Sequence, residues 1–166
     1  MNPHVFKALE FDKILESVSQ HSVMDVTKTR ILTPDVSENI RKVNILQSET
    51  ADAVTLLTKK GNPPIMCAHD ITAALKRAQV GGILSISEIM SVGKVLETAR
   101  RLKTYPDDIE AETLFEHFEA LYMNKDLEKR ISESIVDDET IADDASPELS
   151  DIRRKIRIAN NKVRDI

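Results

Sequence analysis

The stretch "DDASPELSDIRRKIR", residues 143–157, decides how this chain reads. Ser146 can offer its hydroxyl oxygen to the free amides at a helix start, and Pro147 then stands in the first helical position, where its missing amide costs nothing. A helix therefore begins here. Beyond it, Leu149, Ile152, Ile156, Ala159, Val163 and Ile166 are separated by 3, 4, 3, 4 and 3 residues, an unbroken a/d stripe. Neither Gly nor Pro stands near Ile166, so the sequence predicts a long helix without a stop signal, cut at residue 166.

Working outward, the segment just before this helix is different in kind. Ile135-Val136 and Thr140-Ile141 flank the polar "DDE" and read as a small β-hairpin, although the Asn-Gly or Asp-Gly of a strong turn is missing. Everything earlier reads as helix. "FDKILESVSQHS" puts Phe11, Ile14, Leu15 and Val18 on one face, with Asp12 near the positive end. A second helix spans residues 22–32 and halts before Pro34. From Ser37 to Lys60, Ile40, Val43, Leu46, Val54 and Leu57 recur at near-helical spacing until "GNPP" at 61–64 breaks the ladder. Asp70 reads as the cap of a helix carrying Ile71, Leu75 and Ala78, which Gly81-Gly82 ends. Ser85 and Glu88 match a capping box, so a helix runs from Ile86 to about Lys103. Tyr105-Pro106-Asp107-Asp108 closes it, and two further helical stretches carry Leu114, Phe115, Phe118 and Leu121, then Leu127, Ile131 and Ile135. The fold class expected is all-α, with one small β-hairpin leading into a truncated long helix.

Composition limits what such a fold can do. At 166 residues, 41% hydrophobic and 31% charged, the chain can bury a core of its own. The single Cys67 has no partner for an internal disulfide or a thiolate metal site, which suits a reducing compartment, and it reads as a small buried hydrophobe. "MNPHVFKALEF" lacks the pattern of a secretory signal, and no run of about 18 apolar residues occurs, so a cytoplasmic protein without a membrane span is expected. Charge is uneven. Six basic and three acidic residues from Pro147 to Ile166 give that stretch +3, leaving −8 for residues 1–146 within the total of −5.

Motifs for catalysis do not assemble. Glycines at 61, 81, 82 and 93 cannot form the Gly-x-x-x-x-Gly-Lys-Ser/Thr loop that cradles phosphates, so no ATP site is expected within these residues. His4, His21, His69 and His117 show no metal-ligand spacing, and His117 beside Glu116 reads as a helix surface pair. The pairs Asp107-Asp108, Asp137-Asp138 and Asp143-Asp144 read as solvated loops, lacking the spacing of a calcium loop. No catalytic, cofactor-binding or metal residue is assigned. The remaining candidates are Arg153, Arg154, Lys155, Arg157, Lys162 and Arg164. They read either as phosphate contacts giving salt-dependent, sequence-neutral nucleic-acid binding, or as the solvated face of an amphipathic helix.

Several motifs in order resemble one family. "KALEFDKIL" (7–15), "ILTPD" (31–35), "ETADAVTLLTKKGNPP" (49–64), "DITAALKRAQVGGILSISEI" (70–89) and "ASPELSDIRRKIR" (145–157) look like the amino-terminal region of a MutS-type protein. More narrowly, they resemble the second bacterial MutS paralogue, whose members carry a carboxy-terminal Smr domain. The resemblance covers essentially the whole chain. It implies a helical core domain over 1–134, a hairpin connector over 135–145 and the start of a lever helix over 146–166. It further implies a parent that binds DNA or the ribosome through downstream domains, forms a homodimer, uses ATP and magnesium, and carries Smr nuclease activity linked to suppressing recombination or rescuing collided ribosomes. The chain itself would then be a non-catalytic core and lever scaffold. A different reading is a stand-alone helical module that dimerises through the final heptad stripe.

Overall fold

The computed structural model describes residues 7–65, 70–107 and 112–164. Expectations placed on His4, Cys67, His69, Asp108 and Ile166 lie outside those residues. Among the described residues the chain is all-helical: α1 (Phe11–Gln20), α2 (Asp25–Leu32), α3 (Ile40–Lys60), α4 (Thr72–Gln79), α5 (Ile86–Lys103), a 3-10 turn (Glu112–Leu114), α6 (Phe115–Glu119), α7 (Lys125–Ser134) and α8 (Pro147–Arg164). The chain divides into two compact units, Met1–Asp70 with Glu97–Met123, and Ile71–Leu96 with Asn124–Ile166. Helix α5 contributes its first turns to the second unit and its last turns to the first.

In the first unit α1 and α2 pack on each other, and α3 packs on the 3-10 turn. Helix α3 starts three residues later than Ser37 suggested, because Asn39 is the residue whose side chain accepts two free amides, from Arg41 and Lys42. Two such acceptances satisfy donors that would otherwise be orphaned. Leu56, 2% exposed, is the buried centre of this helix. Polar ties from α3 then fix the segments around it. Asp52 accepts from the Thr113 amide at 3.1 Å and from its hydroxyl at 2.7 Å. Tyr105 donates its hydroxyl to the Gly61 carbonyl at 2.6 Å, Lys60 donates to the Asp107 carbonyl, and the Tyr105 and Phe118 rings sit 6.4 Å apart. The loop residues that close α5 are thereby bound to the end of α3.

In the second unit the capping box forms as the sequence predicts. The Ser85 amide donates to Glu88 Oε2 at 2.8 Å and the Glu88 amide donates to the Ser85 hydroxyl at 3.3 Å, while Arg77 of α4 pairs with the same carboxylate. Helix α4 itself departs from expectation: its N-cap position is Ile71, which supplies no side-chain bond, and not Asp70. Its end is fixed by Gly81 at φ 80° and by Gly82, whose amide donates to the Arg77 carbonyl at 2.9 Å. A Cβ on Gly82 would lie 2.9 Å from that carbonyl oxygen, so only glycine closes this turn without displacement. Gly93 has a different task, since a Cβ there would stand 3.0 Å from Ile131 Cγ2, and its absence lets α5 approach α7 closely.

The expected β-hairpin is not present as strands. What forms is a single antiparallel bridge, Ile135 with Ile141, closed by the Val136 amide on the Thr140 carbonyl at 3.0 Å and the Ala142 amide on the Ser134 carbonyl at 2.9 Å. The physical reason lies in its neighbours. Helix α7 occupies the chain up to Ser134, and the turn at 142–145 leading to the Ser146 cap begins directly after Ile141, so no residues remain to extend a ladder. Asp137 instead folds the loop on itself by accepting the Glu139 amide at 3.0 Å, which together with Thr140 holds its carboxyl below the usual aspartate range.

Candidate nucleic-acid interface

Helix α8 is built as the sequence dictates. The Leu149 amide donates to the Ser146 hydroxyl at 3.2 Å, Pro147 occupies the first turn, and the Glu148 carboxyl is held low by its own backbone amide and by Ser146. Negative charge at this helix end is favoured by the peptide dipoles. The apolar stripe is largely uncovered: Ile152, Ile156 and Val163 are 54%, 52% and 73% exposed.

The six basic candidates are not equivalent. Arg153 Nη1 donates to the Ile141 carbonyl at 2.8 Å and to Asp143 Oδ1, while Arg157 Nη1 reaches Asp143 Oδ2 at 3.1 Å. Residues four apart share a helix face, so one carboxylate ahead of the helix start engages both guanidiniums. The hydrogen bond from Arg153 foremost, with the charge of both arginines, holds the Asp143 carboxyl below its ordinary range. Arg154 pairs with Asp151 at 2.9 Å, one turn back on the same helix. Lys155 and Lys162 are exposed and, among the described residues, meet no carboxylate. Arg164 ends α8, and its side chain lies outside the described residues.

Sequence reasoning treated Asp143 as one of three solvated acid pairs and so missed its role. The available signal was the spacing: Arg153 and Arg157 at i and i+4, facing back over a short capped turn toward the nearest acid. His117 was likewise paired with the wrong neighbour, since its Nε2 lies 3.3 Å from Glu49 Oε1 on α3 and not against Glu116. A separate cleft of about 220 Å³ opens in the second unit, lined by Ile86, Ile89, Ile131, Ile135 and Ile141 with Arg130 and Ser134. It is apolar and brings no reactive groups together. Among the described residues no helix is long and apolar enough to cross a membrane.

No family model matches the chain. Curated relatives do match it, along almost its full length. Endonuclease MutS2 of Acetivibrio thermocellus is 37% identical over 172 residues, covering 99% of this chain and 21% of that protein. Endonuclease MutS2 of Agathobacter rectalis is 35% identical over 167 residues, with 98% and 21% covered, and that of Clostridium perfringens is 33% identical over 169 residues, with 99% and 22% covered. Along almost all of its own length the chain aligns with one part of these MutS-type proteins. Within that class it belongs to the MutS2 family. It spans about a fifth of the length of the relatives it matches.

Proposed function

We propose that this chain is the helical core and the beginning of the lever of a MutS2-type protein, a cytoplasmic nucleic-acid-binding ATPase and endonuclease acting as a homodimer. The observation that carries the reading is the alignment of 99% of the chain with proteins called endonuclease MutS2. The chain's own contribution is mechanical: α8 leaves the capped turn at Ser146 as one continuous helix and links whatever it carries to the helices around the Ile135–Ile141 bridge. ATP and magnesium would be held by parts of the protein outside these residues, as would the Smr nuclease and the principal surfaces that engage DNA or the ribosome. A lever acts only if it has two arrangements that two sites bias differently. In this reading the exposed stripe of Ile152, Ile156 and Val163 is covered by another helix of the same protein.

The second reading, a stand-alone module that dimerises through that stripe, draws on the same exposure. Arg153, Lys155 and Lys162 border the stripe, and Glu148 stands at the same heptad position as the two lysines, so self-pairing would bring both like and opposite charges together. Sedimentation velocity separates the two readings. The lever reading expects a monomer at all concentrations, unchanged in mass by Ile156→Asp. A concentration-dependent dimer that Ile156→Asp abolishes would overturn it in favour of self-association.

A further inference from the structure

Two guanidiniums gripping one carboxylate have the geometry by which proteins grip phosphate. Arg153 and Arg157 present one Nη1 each to opposite oxygens of Asp143, and the Ile141 carbonyl accepts a second bond from Arg153. All three side chains remain open to solvent, at 32%, 64% and 55% exposure for Arg153, Arg157 and Asp143, so the pairing is reachable and exchangeable. We propose that Arg153 and Arg157 form an oxyanion site that Asp143 fills in the free protein, and that a nucleic-acid phosphodiester takes the place of the Asp143 carboxylate when α8 engages its strand. This goes beyond the proposed function, since it gives α8 a nucleic-acid contact of its own and a residue that regulates it.

The fold supports an exchange in place of a permanent clamp. Asp143 sits in the short turn between the Ile135–Ile141 bridge and the Ser146 cap, so releasing it frees a turn and leaves both the bridge and the cap bonded. The ion pairs themselves are exposed, and such pairs are weak enough for a multiply contacted phosphate to displace. Lys155 and Lys162 need no release, since among the described residues neither meets a carboxylate. They would give first contact, and the arginines would follow once Asp143 lets go. Arg154 stays with Asp151 and does not share in the exchange.

The test is fluorescence anisotropy with a labelled 20-base-pair DNA duplex and an RNA duplex of equal length, at low salt, on the wild-type protein, on Asp143→Asn, and on Asp143→Asn with Arg153→Gln and Arg157→Gln. Asp143→Asn removes the competing charge while keeping the side chain's size, and circular dichroism verifies that all variants keep their helix content. Because exposed pairs are worth little, the expected gain for Asp143→Asn is about threefold to tenfold in affinity, abolished in the triple variant. A gain on one duplex alone identifies the nucleic acid served. Binding that is equal for wild type and Asp143→Asn overturns the exchange and leaves α8 as a nucleic-acid contact. No binding by either protein, or a gain that survives in the triple variant, overturns the exchange together with the assignment of phosphate to these two arginines.

Discussion

At the residue scale, single atoms decide which contacts form. Gly93 has no side chain where Ile131 Cγ2 would lie 3.0 Å from a Cβ, so the α5–α7 packing depends on a missing atom. Gly93→Val forces that interface apart, and overpacking of this kind costs about 1–3 kcal/mol. Urea denaturation is expected to show a loss of unfolding free energy of that size and a lowered midpoint, and an unchanged midpoint would contradict the close approach. The carboxylates carry a second prediction. Glu88 is held low first by the Ser85 amide and then by Arg77, and Asp143 first by Arg153. For acids whose folded value lies below the unfolded one, the stabilising contribution is complete above the ordinary carboxylate range. It disappears as pH falls through the depressed folded values. Acid titration followed by circular dichroism is therefore expected to show stability that is level above the ordinary carboxylate range, begins to fall within it and continues to fall through the depressed folded values. Asp143→Asn should remove part of that dependence, and a profile unaltered by the substitution would count against the pairing.

At the element scale, the helices were legible and their joints were less so. The capping box at Ser85, the Ser146-Pro147 start and the Lys103 end were all visible in sequence, because each depends on side chains within four residues of one another. The helix expected from Ser37 starts at Ile40, because the Asn39 side chain takes up the free amides there. The hairpin failed for a related reason. Alternating Ile135, Val136, Thr140 and Ile141 suit strands, but strand pairing needs length, and α7 with the capped turn of α8 leaves room for one bridge only. Sequence alone could list the six basic residues of the candidate interface but not sort them. Which arginines are occupied depends on a turn at Asp143 whose path no periodicity encodes.

At the scale of the whole molecule, the chain's acidic body and basic final helix are two parts of one electrostatic arrangement. The charge separation read from sequence is partly neutralised in the fold, since Asp143 and Asp151 together engage three of the six basic side chains of α8. The apolar stripe of Ile152, Ile156 and Val163 stays exposed beside these paired arginines and the lysines at 155 and 162. The function proposed for these 166 residues, the core and lever start of a MutS2-type protein whose nucleotide site lies elsewhere, is tested most directly by sequencing the reading frame downstream of Ile166. The account predicts a continuing helix followed by a Gly-x-x-x-x-Gly-Lys-Ser/Thr phosphate loop. A stop codon immediately after Ile166 would contradict it.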